Sequence, residues 1–436
     1  MEQERLSGPQ ARRALKMSIW DGFFASVSDN FLGPFVALYG SALGANNSQI
    51  GLITALPNLS ANILQVPGAA LAERLGRRKR LVILGSFWLR FIWIPAAFVP
   101  LFYTGYRAVY VFIALLTLRG IFASLTVPAW TSLMADITPY RIRGSFFAIR
   151  NIVINVAAFV VPILAGYLIK GLAFPAGYQI GAVGAFLAGL VSLYFFALIP
   201  EPPMVHVGPE SGVTGAQNSS GFKPGLKGLA EMFRANRKFA AFNNSSMLWN
   251  FAVYVPAGLF PVFFVKTLGG SESQWGIMTA LVSLTTMIGQ RYWGTLADRF
   301  GNRNIMVLTG VVNALLPLMW ALIGAPGYVA VIQLLAGFGW AGYNLANFNL
   351  LLEVTPDQGR THFVGVYNTL NGLAQSVGPL VGGVLADLAG IRFVLVLSLI
   401  LRMMAWYMFK RTVEDRAARR ISPADLIPAV RRGGRP

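Results

Sequence analysis

Residues 71–78 read LAERLGRR, and residues 296–303 read LADRFGNR. The stretches lie 225 positions apart and repeat Leu, Ala, an acid, Arg, an apolar residue, Gly and a final Arg. Taken alone, the first copy belongs to a basic cluster of Arg74, Arg77, Arg78, Lys79 and Arg80. Such a run suits a nucleic-acid patch, a targeting signal, or a short loop pinned between two membrane helices. The rest of the sequence selects the loop.

Only 12% of the 436 residues are charged and 55% are hydrophobic, with a mean hydropathy of +0.57. A soluble domain carries about 25% charged residues, so this chain lacks the polar surface to cover a globule in water. The bilayer is its expected solvent. The net charge of +19 would indicate nucleic acid in a soluble protein. In a membrane protein it follows from cationic loops on one side, and no nucleic-acid partner is expected. The chain has no cysteines, which excludes disulfides and thiolate metal sites.

Twelve apolar stretches are long enough to span, near 17–43, 48–73, 80–103, 107–136, 144–169, 175–199, 238–267, 273–298, 304–324, 327–353, 361–387 and 391–410. Crossing a bilayer core takes about 20 apolar residues. Lipid offers backbone groups no partner, so runs without period-two alternation must be helices. The expected order is an N-terminal tail (1–16), a six-helix bundle (17–199), a central linker (200–237), a second six-helix bundle (238–410) and a C-terminal tail (411–436). The polar start ends in Arg12, Arg13 and Lys16 like the n-region of a signal peptide. The apolar stretch that follows is too long for an h-region and no small-residue cleavage site closes it, so we read a retained first helix.

With the N-terminus in the cytoplasm, the loops and tails of that side hold 28 of the 36 Lys and Arg. The opposite loops hold four, Arg107, Lys170, Lys266 and Arg392. Both termini are therefore expected in the cytoplasm, with the chain in the plasma membrane. The linker opens PEPPMVHVGPESGVTGAQNSSGFKPG (200–225), the composition of a flexible connection. It continues LKGLAEMFRANRKF (226–239), read as a short basic helix at the inner membrane surface.

The duplication extends beyond the two loops. SQIGLITAL from Ser48 matches SQWGIMTAL from Ser273, and Gln65 matches Gln290, at the same offset of 225. DITPYRIRGSFFAIRN from Asp136 matches EVTPDQGRTHFVGVYN from Glu353 at an offset of 217. There Arg143/Arg360, Phe146/Phe363 and Asn151/Asn368 coincide, and VPILAG from Val161 falls on GPLVGG from Gly378.

These features resemble the major facilitator superfamily, whose signature G-x-L-a-D-R-x-G-R-[RK] lies between helices 2 and 3, with an echo between helices 8 and 9. The echo here is the cleaner copy, with Gly294, Leu296, Ala297, Asp298, Arg299 and Gly301 in place. The first copy has Ala69 for Gly and Glu73 for Asp, while Arg74, Gly76, Arg77 and Arg78 fit. The resemblance implies an all-α membrane fold of twelve helices in two pseudo-symmetric six-helix bundles, working by alternating access. It implies that Glu73, Arg77 and Asp136 latch the halves together when the outer side is open, with Asp298, Arg303 and Glu353 as a partial mirror. The residues by themselves also fit plain topology and capping, with glycines at sharp turns and arginines kept wet.

An ionisable group near the membrane centre costs about 2.5 kcal/mol or more, so each needs a reason. Span 1 carries Asp21, Asp29 and Asn30; span 3 carries Arg90 and span 4 Arg119. By the resemblance, helices 1, 4, 7 and 10 line a central cavity, which puts Asp29 and Arg119 on cavity helices. We expect Asp29 to be a proton-coupling carboxylate with Arg119 or Arg90 as counter-charge, since alternation between dry surroundings and a cation binds and releases a proton. A static ion pair and direct contact with a charged substrate are the other readings. Asp21, about two turns nearer the cytoplasm, is a second proton-coupling candidate, and plain hydration at the interface is its alternative reading. Two departures weaken an assignment as a drug/proton antiporter. Phe122 and Ala123 replace the Gln and Gly of the helix 4 motif R-x-x-q-G, and the glycine-rich antiporter motif of helix 5 is better kept in span 11.

Expected cavity residues are Asn30, then Trp249, Asn250 and Tyr254 in span 7, and Trp340, Tyr343, Asn344 and Asn347 in span 10. Span 11 adds Asn371 and Gln375. This set suits a neutral polar solute or an amphiphile, and its low net charge argues against a strongly anionic one. The only histidines, His206 and His362, have neither metal-ligand spacing nor a nucleophile partner, and no nucleotide fingerprint is present. We therefore expect no enzyme, cofactor or metal. The expected protein is a monomeric secondary transporter of a small organic solute, coupled to protons. A proton-independent facilitator, or an exporter of amphiphiles, lipids or drugs, is the alternative.

Overall fold

The computed structural model describes residues 8–65, 68, 78–138, 142–201, 226–356 and 359–413. Helix α1 runs Gly8–Leu32 and continues through a 3-10 turn, Gly33–Phe35, into Val36–Ala42. Then come α2 (Asn47–Ile63), α3 (Arg78–Phe91, continued by Trp93–Phe98 and Val99–Leu101), α4 (Gly105–Ile137), α5 (Arg143–Gly171) and α6 (Ala176–Ala197). A linker helix, Leu226–Ala235, leads to α7 (Arg237–Tyr254, continued by Leu259–Val262 and a π turn, Phe263–Thr267). The second half closes with α8 (Glu272–Phe300), α9 (Asn302–Leu322), α10 (Val329–Val354), α11 (Arg360–Ala389) and α12 (Ile391–Thr412).

Nine of these rods are long and apolar enough to cross a membrane on composition alone. The others are α1, α2 and α8, for identifiable reasons. Helix α1 carries Arg12, Arg13, Lys16, Asp21 and Asp29, and the central part of α8, though free of charge, is diluted by Ser273, Gln274, Thr279, Ser283, Thr285, Thr286 and Gln290. Helix α2 is described over 17 residues with Pro57 inside it. All three pack within the bundles, α1 on α5 and α6, α2 on α4, and α8 on α10. The second half repeats the first: α7 packs on α11 and α12, α10 on α8 and α9, and α9 on α12 as α3 does on α6.

One duplicated block, SQIGLITAL and SQWGIMTAL, opens a helix in each half. Asn46 caps α2 in a reciprocal box with Gln49, and Ser271 caps α8 in the same box with Gln274, at the offset of 225. Each box satisfies two of the amide groups that a helix start leaves open.

The halves meet along two seams, α2 on α11 and α5 on α8. A Cβ on Gly51 would collide with the Pro379 carbonyl, and one on Gly276 with the Pro162 carbonyl. Likewise a Cβ on Gly383 would sit 2.5 Å from the Asn47 carbonyl, and one on Gly166 2.6 Å from that of Glu272. These four contacts form two pairs related by the repeat. Small residues let the backbones touch, which is how helices associate where lipid supplies no hydrophobic drive. Both seams lie towards the end away from the termini. There Asp387, near the end of α11, accepts hydrogen bonds from the Asn47 and Ser48 amides at 3.0 and 2.8 Å and from the Ser48 hydroxyl. Trp275 Nε1 donates to the Pro34 carbonyl at 2.9 Å.

The buried apolar side chains follow the same division. One core, with Phe35, Ile50, Trp93, Phe264, Trp320 and Val394, draws on both halves at the end away from the termini. At the other end the cores are separate: Ala14, Val82, Leu133 and Phe196 in the first half, Phe239, Trp293, Leu350 and Phe409 in the second. The linker helix joins the second of these through buried Met232, with Leu229 and Phe233 packed against it. Its apolar stripe thus packs on the second-half core.

Asp387→Asn should loosen the closed end. Weakening hydrogen bonds to a charged acceptor, at about 1.5 kcal/mol, should raise the population open at that end about tenfold. Double electron–electron resonance between labels at Leu43 and Ala389 reads the change; an unaltered distance distribution counts against the role.

Candidate functional site

Between the halves lies a cavity of about 1240 Å³. Its first-half wall comes from α1, α2, α3 and α4. Asp29 shows 55% of its side chain, and its Oδ1 accepts from Arg119 Nη2 at 2.9 Å. The Arg119 guanidinium lies 4.7 Å from the ring centre of Trp93, so the ring face holds the cation from behind. Asn30 departs from expectation. Its amide turns back to Ser26 O at 2.9 Å and it is not among the lining residues, because one helical step carries it about 100° around α1 from Asp29. Sequence reasoning missed Asn58, Asn62 and Gln65, which line the wall from α2. Their i, i+4, i+7 spacing on an apolar helix was the available signal.

A second polar network lies outside the cavity, between α1, α3, α5 and α6. Asp21 is buried and accepts from the Ser192 hydroxyl at 2.6 Å. Arg90 donates to the same hydroxyl at 2.9 Å and to Gly189 O at 3.3 Å. Arg150 approaches the other Asp21 oxygen at 4.0 Å and stacks on Trp130 at 4.7 Å. Of the two readings of Asp21, plain hydration does not hold, because partners from three helices enclose it. Arg90 reaches Asp21 through the Ser192 hydroxyl and also lies within electrostatic range of Asp29. Arg150, near the start of α5, folds its side chain back into the bundle.

The second-half wall is a ladder of amides. Asn250 Nδ2 donates to Asn371 Oδ1 at 2.8 Å, and Gln375 Nε2 donates to Asn250 Oδ1 at 3.2 Å. Asn371 Nδ2 donates to Tyr367 O at 2.8 Å, and the Tyr367 hydroxyl donates to Asn347 Oδ1 at 3.1 Å. Trp249 stacks on Tyr343 with ring centres 4.7 Å apart, and Trp340 meets both rings edge-on. Tyr254, Asn344 and Arg402 also line the space. Arg402, from α12, went unremarked as a cavity residue in the sequence, since nothing in its neighbours marks which way it faces. Among the described lining residues the charged ones are Asp29, Arg119 and Arg402, a net charge of +1.

Of the expected latch, Ala69, Glu73, Arg74, Gly76 and Arg77 lie outside the described residues. Arg78 is buried and its Nη1 reaches Asp136 at 2.6 Å and the Ser132 hydroxyl at 2.8 Å. In the second copy, Gly294 sits within α8 and Asp298 and Arg299 are exposed near its end. Gly301 turns the chain at φ +83°, a conformation that favours glycine. Arg303 donates to the carbonyls of Val413 and Lys410, and Glu353 accepts from the Asn302 amide. The three mirror residues Asp298, Arg303 and Glu353 thus make no mutual ion pair among the described contacts.

The family model described as Major Facilitator Superfamily matches residues 22–260 and 244–433. The chain belongs to the Major Facilitator Superfamily. An uncharacterised MFS-type transporter of Methanocaldococcus jannaschii is 24% identical over 409 residues, covering 90% of this chain and 97% of that one. A multi-drug resistance efflux pump PmrA homolog of Lactococcus lactis is 23% identical, covering 86% and 89%. Two solved structures share the fold. A bacterial homolog of the human lysosomal transporter Spinster, inward-facing and occupied, gives a TM-score of 0.70 at 15% identity over 93% of this chain and 98% of that one. A D-xylose–proton symporter gives 0.69 at 17% identity over 93% and 97%. This superfamily member is therefore a multi-pass membrane transporter and no enzyme.

The two acids of α1 should differ in their structural cost. Asp21→Asn removes the charge opposite buried Arg90 and Arg150 and should cost roughly 3 kcal/mol. Asp29→Asn, facing an open cavity, should cost less than about 1 kcal/mol. Thermal unfolding of the purified protein in detergent separates the two.

Proposed function

We propose that this transporter carries a small organic solute by alternating access and couples the movement to protons through Asp29. The single observation behind the coupling is the Asp29–Arg119 pair at 2.9 Å on the cavity wall. A carboxylate facing the solute space and held by one arginine can exchange that partner for a proton when the cavity changes sides. One structural neighbour is a D-xylose–proton symporter, which is in keeping with this. The drug-efflux relatives and the aromatic cavity wall favour an amphiphilic over a highly hydrated solute. One chain encloses the whole cavity, which supports a monomer as the working unit.

We place both termini in the cytoplasm, on the 28-to-4 bias of basic residues. The shared core then lies at the outer side, and the conformation is inward-facing. When the outer side opens, Glu73, Arg77 and Asp136 draw the inner ends together, with Asp298, Arg303 and Glu353 assisting in the second half. In the present state Asp136 is held by Arg78.

Proteoliposomes containing a trapped pH dye test the coupling, with sugars, amino acids and lipophilic cations added in turn. A transported compound should move protons in the wild type. In Asp29→Asn the proton movement should vanish while exchange of the same compound across the bilayer persists. Proton-driven uptake that survives the substitution ends the coupling role of Asp29. Exchange without proton flux in the wild type supports the proton-independent facilitator.

A further inference from the structure

Four arginines inside the bundles have an acid within reach. Arg78 pairs with Asp136, Arg119 with Asp29, and Arg150 with Asp21, while Arg90 reaches Asp21 through Ser192. Arg402 differs. It sits in the middle of α12 (Ile391–Thr412), is only 3% exposed, and lines the cavity. Among the described residues it has no carboxylate within ion-pair distance.

Its hydrogen bonding is also incomplete. Nη1 donates to Asn313 O on α9 at 2.9 Å, and Nη2 points to Val253 O on α7 at 3.5 Å, the limit of a useful bond. Nε is buried without a partner, and both side-chain amide atoms of Asn313 are in the same condition. A guanidinium has five N–H donors, so most of its capacity is unused. Taking a cation out of water without a counter-charge is costly. A structural clamp between α9 and α12 needs no charge, because a neutral amide donor bonds to carbonyls equally well. The first half makes the comparison: Arg90 bridges α3 and α6 in the corresponding place, but with an acid two bonds away.

We propose that Arg402 is the anion-binding subsite of this cavity, and that the solute is an organic monoanion with an aromatic or apolar body. The inference rests on the transporter reading and names its substrate class. The anionic head takes up the free donors of Arg402, displacing the long contact to Val253 O, and the Asn313 amide lies beside it. The body lies against Trp340, Trp320 and Leu316, which line the cavity, Leu316 standing one turn along α9 from Asn313. The lining charge of +1 is neutralised by one negative charge, while Asp29 and Arg119 stay paired with each other. The cavity thus selects for an anion where its composition in the sequence suggested a neutral solute.

The probes are 1-naphthylacetate and its neutral isostere 1-naphthylacetamide, added to the purified full-length protein. Quenching of tryptophan fluorescence reports binding, since Trp93, Trp249, Trp275, Trp320 and Trp340 all line the cavity. The wild type should bind the acid at least tenfold more tightly than the amide. Arg402→Met should remove that preference and leave amide binding within about twofold. If Arg402→Met does not fold, Asn313→Asp supplies an internal counter-charge with Arg402 retained and should abolish the preference in the same way. Equal binding of the two probes by the wild type, binding of neither, or a preference that survives both substitutions overturns the proposal. Binding is read without transport, so loss of exchange in vesicles with the anion preference intact counts against the transport reading and leaves the subsite standing.

Discussion

The conformation depends on backbone touching backbone. Gly51 against the Pro379 carbonyl and Gly276 against the Pro162 carbonyl leave no room for a Cβ, and Gly383 and Gly166 extend the same two seams by a further turn. Apolar side chains meeting in lipid gain little over lipid itself, so shape has to supply the attraction. Flat glycine faces do so at one end of the molecule. The Asp387 carboxylate on the start of α2 adds a charged hydrogen-bond acceptor at the same end, where a helix start presents free amides. No covalent or ionic tie is needed between the halves, which keeps this closure reversible.

With that end shut, two bundles of one design present different chemistry to the space between them. The first half offers a charged pair backed by an indole and a row of amides on α2. The second half offers a ladder of amides, a cluster of rings and one buried arginine without a carboxylate. The scaffold contacts are duplicated closely, down to the capping boxes at Asn46 and Ser271, whereas the cavity walls have diverged. Packing restricts the first kind of residue, since a Cβ on a seam glycine separates two helices. A cavity wall tolerates exchange, because its side chains border open space.

Much of the architecture was legible in the sequence. Length and hydropathy showed the spans, and the recurrence of SQIGLITAL as SQWGIMTAL showed the halves. The prolines and glycines that form the seams stand in the matched stretches VPILAG and GPLVGG, but nothing in those stretches named the helices they pack on. The site was legible in part. Asp29, Arg119, Asn250 and Asn371 are in the cavity because a polar group at membrane depth is costly and so marks itself. Asn30, Asp21 and Arg90 carry the same mark but face other helices. The mark reports depth, and the direction a side chain takes around the helix depends on which neighbour packs where.

Composition, charge bias and internal repetition determined that the chain is a twelve-helix membrane protein built by duplication, because those properties follow from the solvent and from local propensity alone. Tertiary structure decided which end is shut, that Asp21 is enclosed while Asp29 faces the cavity, and that Arg402 lies on its wall with no acid beside it among the described residues. Each of these rests on contacts between residues far apart in the chain, from 89 positions for Arg402 and Asn313 to 340 for Asn47 and Asp387, and the spacing of residues within one helix holds no information about them.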